Sequence, residues 1–125
     1  MIDLLLVNAI AAAIKEEFPD VFVGASMENV DIQLPAIMVE MKSDAVVGGP
    51  LYRGTMTISV ATQADDSTPQ SHASFTDEVG TFVKSLALTS PVKMCGTVYQ
   101  NFDTSRNERH WISTMNFIVG FTPAS

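Results

Sequence analysis

Cysteine, histidine and basic residues are scarce in this 125-residue chain, and each scarcity excludes a class of function. The single cysteine, Cys95, permits no internal disulfide, which fits a reducing compartment, although secreted proteins can also lack disulfides. Neither histidine stands at a metal-site spacing from the other or from Cys95. With 14 acidic and 7 basic residues the net charge is −7, which disfavours a nucleic-acid-binding protein because such a chain repels phosphates on average.

Catalytic and phosphate-binding motifs are also lacking. Gly48-Gly49-Pro50 has the spacing of neither a dinucleotide-binding loop nor a P-loop, and its proline lacks the N–H that a phosphate cradle uses. We expect His72 to be solvated on the first turn of a polar-faced helix, and His110 to lie on a strand face. Asp77 and Glu78 are adjacent, so on a helix they point about 100° apart. The sequence therefore predicts no enzyme, no metal and no cofactor.

The opening run MIDLLLVNAIAAAI is apolar but has no positive segment in front of it. It is too short to cross a bilayer and passes directly into charged residues, so we interpret it as a first helix rather than a signal peptide. The helix is expected to end at Phe18-Pro19, because the residue before proline avoids the helical conformation. Its predicted apolar face comprises Ile2, Leu5, Leu6, Ala9 and Ala13, widened by Ile10 and Ile14.

The hydrophobic period then changes from helical to extended. Residues 21–23 form a short β-branched run, 34–42 (LPAIMVEMK) predict a strand covered on both faces or at a subunit contact, and 51–61 alternate as in a half-exposed strand. Between these strands, residues 43–52 (SDAVVGGPLY) predict a flexible but apolar loop. Its apolar side chains either contact a partner or fold back on the core, and the sequence leaves both alternatives open.

The second half predicts a helix and two strands. Thr68 is a suitable N-cap with Pro69 at the first helical position, and Gly80 predicts a close approach to the sheet. Strands are expected at about 92–102 and 109–122, with Trp111 among the residues on the apolar face of the last one. We therefore predict a single α+β domain over residues 1–125, with a mostly antiparallel sheet and both helices packed on one face.

The order of these elements resembles the tail-terminator (minor tail protein U-like) family of long-tailed phages. The resemblance covers nearly the whole chain: an opening helix, the strand LPAIMVEM with the family's leucine-proline-alanine start, and a flexible loop followed by the alternating strand GTMTISVATQA. It continues with the helix ASFTDEVGTFVKSLA and a long closing hairpin whose last strand is HWISTMNFIVGF.

The resemblance implies a structural virion protein, located in the tail or neck and assembled in the host cytoplasm. It would form a homo-oligomeric ring of about six copies that caps the tail tube, stops tube polymerisation and joins the tail to a head-completion or connector protein. The alternatives are another neck component (a head-closure, stopper or tail-completion protein) and a small-molecule-binding α+β domain. The residues predicted to contact neighbours are Val46, Val47, Leu51, Tyr52, Arg53, Asp103, Arg106 and Arg109.

The net negative charge of the chain suggests a role in such a ring. Negative charge around a central channel would let DNA pass through the lumen without specific binding, because phosphate contacts dominate DNA affinity. The alternative is that an acidic surface only aids solubility. No membrane partner is expected.

Overall fold

The computed structural model describes residues 2–24, 35–48, 51–63, 69–90, 92–106 and 110–123, with side chains for all of these except 2–4 and 42–48. It confirms the predicted α+β fold with its predicted order of elements. The elements are α1 (Ile2–Glu17), β1 (Phe22–Gly24), β2 (Ala36–Gly48), β3 (Leu51–Gln63), α2 (Pro69–Ser85), β4 (Val92–Arg106) and β5 (His110–Pro123).

The strands form one mixed sheet in the order β1-β2-β3-β5-β4. Only the pairing of β1 with β2 is parallel; β2 with β3, β3 with β5 and β5 with β4 are antiparallel. Strand β3 is therefore central, β5 lies between β3 and β4, and β4 is a long edge strand. Both helices contribute to one core cluster with a single face of the sheet, as predicted.

Alternation along the central strands decides which face of the sheet is buried. Met56, Ile58 and Val60 of β3 are fully buried, as are Phe117 and Phe121 of β5, and these residues face the helices. We call this side the helix face and the opposite side the outer face. Strand β2 is buried on both faces over residues 36–39, which confirms the prediction from its continuous apolar run.

The predicted apolar face of helix α1 is confirmed at Leu6, Ile10 and Ile14 and wrong at Leu5. The buried side chains are Leu6, Val7, Ile10 and Ile14, whereas Leu5 is half exposed. The large side chains face the core because they bury more apolar area than the alanines at positions 9 and 13. At the end of the helix, the Lys15 Nζ donates to the carbonyl oxygens of residues 19 and 21, at 2.8 and 2.9 Å.

The prediction of an irregular loop over residues 43–52 is wrong. Strand β2 continues to Gly48 and β3 begins at Leu51, with the backbone of Val46 opposite Tyr52. The register shifts between 43 and 45 and between 46 and 48, so two β-bulges absorb the extra residues and the antiparallel pairing continues. A glycine is compatible with a strand at such a bulge. Residues 49 and 50 lie outside the described residues.

Helix α2 packs closely on β5, as Gly80 predicts. A Cβ atom at position 80 would lie 3.0 Å from the Met115 Sδ, so glycine allows the helix to approach the sheet. The ring of Phe18 closes the contact between the helices, edge-to-face with Phe75 and Phe82 at centroid distances of 5.8 and 6.0 Å. The predicted N-cap, Thr68, lies outside the described residues.

Candidate functional site

A groove of about 590 Å³ lies between α2 and β4, with the side chains of β5 as its floor. We call it the α2–β4 groove. It lies on the helix face, where α2 covers β5 but leaves the second half of β4 open. The residues that define it are Asp77 and Lys84 on the helix wall, Tyr99 and Phe102 on the β4 wall, and Trp111 and Met115 on the floor.

A buried histidine lies at the base of this groove, which makes the prediction of a solvated His72 wrong. His72 is 2% exposed. Its Nδ1 lies 2.8 Å from the Thr62 Oγ1 of β3, and its Nε2 lies 2.7 Å from the Ser113 Oγ of β5. The Ser113 Oγ in turn lies 2.8 Å from the Thr104 Oγ1 of β4. A chain of polar side chains therefore joins α2 to three strands.

The hydrogen bonds favour one tautomer of His72. The Thr76 hydroxyl donates to the His72 carbonyl oxygen at 2.9 Å, so its oxygen, 3.5 Å from Nε2, is left as an acceptor. We therefore assign the proton to Nε2, which donates to Ser113, while Nδ1 accepts from the Thr62 hydroxyl. In this arrangement the Ser113 oxygen accepts from His72, and the Ser113 and Thr104 hydroxyls share a further hydrogen bond in which either can donate.

Burial lowers the pKa of His72 below its ordinary value of 6.5. The physical cause is desolvation, which penalises the charged imidazolium, and none of the hydrogen-bonding partners is a carboxylate that would compensate. His72 is therefore neutral near pH 7, which agrees with the single ring proton that the network requires.

The pairing of Ser113 with His72 has the distance of a nucleophile and its general base, but the surroundings differ from those of a hydrolase. Ser113 is 1% exposed, and in the assigned tautomer its hydroxyl points away from the imidazole. It also lies in the middle of the sheet, opposite Val60 of β3 and Thr104 of β4, so the neighbouring backbone N–H groups are used by the ladders. The network positions α2 on the sheet.

Two cations stand over aromatic rings on the helix face of the sheet. The Lys84 Nζ is 4.6 Å from the centroid of the Tyr99 ring, and the Arg106 Cζ is 5.4 Å from that of Trp111. The Trp111 ring also stacks on the His72 imidazole, at a centroid distance of 6.0 Å. Lys84, Tyr99 and Trp111 line the groove, which therefore combines aromatic surface with an ammonium group.

The outer face of the sheet is polar along its centre. The Thr57 hydroxyl donates to the Asn116 Oδ1 at 2.9 Å, and the Asn116 Nδ2 donates to the Asn101 Oδ1 at 2.8 Å. These bonds connect β3, β5 and β4 across the face that both helices leave uncovered. We call this chain of three residues the polar ladder.

The residues predicted to contact neighbours fall at two ends of the sheet. Leu51, Tyr52 and Arg53 begin β3, whereas Asp103 and Arg106 lie in the exposed last part of β4. The Tyr52 ring stacks on Phe121 at 5.8 Å, so this side chain folds back on the core. The backbones of Val46 and Val47 belong to β2, their side chains lie outside the description, and Arg109 lies outside the described residues.

The burial of His72 had a signal in the sequence. The buried residues of α2 are His72, Thr76, Val79, Gly80 and Val83, which repeat at helical spacing. His72 precedes Val79 by seven residues, two helical turns, and therefore shares its face. The phenylalanines at positions 75 and 82 lie half-buried and contact Phe18.

No protein-family model matches this chain, and no curated protein matches it. Among the described residues, no group of three or more potential metal ligands comes together. Neither helix of the described chain has the length and apolarity that crossing a membrane requires.

Proposed function

We propose that this chain is the subunit of a tail-terminator ring, a structural part of a phage virion. The ring caps the tail tube, stops its polymerisation and joins the tail to the head-side connector. The sequence resemblance supplies the role. The observation that carries the assembly is the edge of β4: its last seven residues, 100–106, are all exposed, and among the described strands β4 pairs with β5 alone.

A free edge of this length supports assembly because its unpaired N–H and C=O groups can hydrogen-bond to a neighbouring chain. Proteins that remain monomeric commonly shorten or cover such an edge. Strand β4 is 15 residues long and no other strand or helix of the described chain covers the outer side of its second half. A neighbouring subunit in a ring would cover it.

The position of the predicted contact residues also supports a ring. A ring contact is head-to-tail, so two different patches of one chain must fit each other. The β2–β3 hairpin ends beside Phe121 of β5, whereas the β4–β5 hairpin turns next to His110. These positions are 11 residues apart along β5, or about 35 Å. The two hairpins therefore offer separate patches at opposite ends of the sheet.

The distribution of charge indicates how DNA would pass through such a ring. Among the residues whose side chains are described, the helices carry the exposed carboxylates of Glu16, Glu17, Asp77 and Glu78 against the exposed lysines at positions 15 and 84. The outer face of the sheet instead carries a mixture of acidic and basic side chains, among them Glu40, Arg53, Lys93 and Asp103. A lumen that repels DNA therefore requires the helix layer to line the channel.

The assembly is tested by placing charge on the β4 edge. The double variant Gln100→Lys/Ser105→Lys is compared with Gln70→Lys/Ser74→Lys, which makes the same exchanges at exposed positions of α2. Light scattering and negative-stain microscopy measure the mass and shape of each. We expect rings in the wild type and the α2 variant, and a loss of rings in the β4 variant because lysines oppose edge pairing. Rings that survive equally in both variants contradict the proposed interface.

A further inference from the structure

Phe102 is a large aromatic side chain that is 61% exposed on the helix face of the sheet. It lies opposite Met115, which is buried in the core. Val98 is equally exposed, but it lies opposite Ile118 on the outer face. Phe102 therefore presents apolar surface to the α2–β4 groove, whereas Val98 presents it to the other side of the same strand.

The size and lining of the α2–β4 groove are those of a small-molecule site. Its volume of about 590 Å³ lies within the ~300–1,000 Å³ typical of ligand pockets. Tyr99, Phe102 and Trp111 supply aromatic surface, and Met115 supplies a polarisable floor. A ligand with flat aromatic rings would make the largest contact area with these walls.

The charges along the groove set the orientation of a ligand that carries an anionic group. The Lys84 ammonium stands over Tyr99, which is opposite Phe117 and so about 7 Å along the sheet from Phe102. Asp77 lines the same groove seven residues earlier in α2, about 10 Å nearer the Trp111 end. An anionic group is therefore favoured beside Lys84 and disfavoured beside Asp77.

Uncharged polar groups line the same space, among them the Thr81 and Thr104 hydroxyls. Thr104 follows Phe102 on the helix face, and its hydroxyl shares a hydrogen bond of 2.8 Å with that of Ser113, in which either hydroxyl can donate. Because the His72 network fixes Ser113, buried residues set the position of the Thr104 hydroxyl. A polar atom on the ring of a ligand would meet this hydroxyl on the side of Phe102 away from Lys84.

We propose that the α2–β4 groove binds a small organic ligand with a planar aromatic ring system and one anionic group. The rings lie against Phe102, and the anion lies beside Lys84. Phe102 and Thr104 belong to the exposed segment 100–106 of the ring proposal, but their side chains face the groove, whereas edge pairing uses the backbone of β4. Substitutions in the groove therefore test this site separately from the ring.

Anilinonaphthalene sulfonate, an aromatic anion, is the probe that tests this site, and N-phenylnaphthylamine is its uncharged analogue. Trp111 is the only tryptophan of the chain and lines the groove, so binding is followed by energy transfer from its fluorescence. We expect one probe per chain, with the anion bound about fivefold more tightly than the uncharged analogue. Lys84→Gln removes that difference, because it removes the charge and keeps a polar side chain.

Two substitutions on β4 separate this site from general surface binding. Phe102→Ala weakens both probes about tenfold, whereas Val98→Ala, the matched control of equal exposure, leaves both unchanged. The proposal is overturned if the two β4 variants change probe affinity equally. It is also overturned if the probe binds without energy transfer from Trp111. Lys84 is exposed on the surface of α2, so Lys84→Gln should fold even if Phe102→Ala does not. If Lys84→Gln still binds the anion more tightly than the uncharged analogue, the proposal is overturned.

Discussion

The Ser113 Oγ lies 2.7 Å from the His72 Nε2, and this buried hydrogen bond joins α2 to β5. Both side chains are at most 2% exposed, so neither can exchange its partner for water. The bond therefore contributes to stability chiefly through the penalty of breaking it.

Ser113→Ala leaves the His72 N–H with only the distant Thr76 oxygen as an acceptor, 3.5 Å away. We expect a loss of about 1–3 kcal/mol in the free energy of unfolding, measured by urea denaturation. Ser105→Ala, at an exposed serine of β4, serves as the control and is expected to change it by less than about 0.5 kcal/mol. If both variants lose the same free energy of unfolding, the buried hydrogen-bond network does not contribute to stability.

The stability of the wild-type protein should depend on pH through His72. Because burial lowers the pKa of His72 in the folded state, the unfolded chain binds the proton more readily. The contribution is fully present above the unfolded value of 6.5 and is lost as the pH falls through 6.5 towards the lower folded pKa. Urea denaturation between about pH 7.5 and pH 5 measures this fall.

Two variants identify the residue responsible for that fall. His72→Gln keeps a hydrogen-bonding side chain without an ionisable group, so its free energy of unfolding should change less over the same pH range. His110→Gln leaves the buried network intact and should retain the wild-type fall. If the free energy of unfolding of His72→Gln falls with pH as much as that of the wild type, another group is responsible for the fall.

Gly80 provides a test of the packing between α2 and β5. Alanine raises helix propensity by about 1 kcal/mol, and its Cβ requires Met115 to move by a few tenths of an ångström. Met115 is flexible and borders the groove, so we expect Gly80→Ala to stabilise the fold slightly. Gly80→Val should destabilise it by about 1–3 kcal/mol through overpacking. Thermal denaturation compares the stability of the two variants. If both lose the same stability, the Met115 side chain does not move aside for the added Cβ.

The polar ladder of the outer face should be centred on Asn116. Asn116→Ala removes both hydrogen bonds of the ladder, whereas Asn101→Ala removes only one. At about 0.5–1.5 kcal/mol for each bond, the Asn116 variant should lose about twice as much stability as the Asn101 variant in urea denaturation. Equal losses would indicate that Thr57 and Asn116 are not coupled.

Features that depend on local periodicity were predicted from the sequence. The buried faces of β3 and β5 follow from strict alternation, and the close approach at Gly80 follows from a glycine within an amphipathic helix. The end of α1 near Pro19 follows from the geometry of the residue before proline. Each of these signals lies within a few residues of the feature that it predicts.

Features that depend on distant partners were missed. His72 is buried because Thr62 and Ser113, 10 and 41 residues away, offer hydroxyl groups to both ring nitrogens. The hairpin strands between residues 43 and 52 form because pairing with β3 continues through two bulges, which outweighs the local preference of glycine for turns. The α2–β4 groove is likewise a product of tertiary packing.

The proposal that this protein ends a growing tail tube is tested by tube polymerisation in vitro. A purified tail-tube protein, taken under this proposal from the genome that encodes the chain, is polymerised with and without it, and electron microscopy measures tube lengths and tube ends. We expect shorter tubes that each carry an additional ring of about six 13.5 kDa subunits at one end. Tubes of unchanged length with bare ends would contradict it.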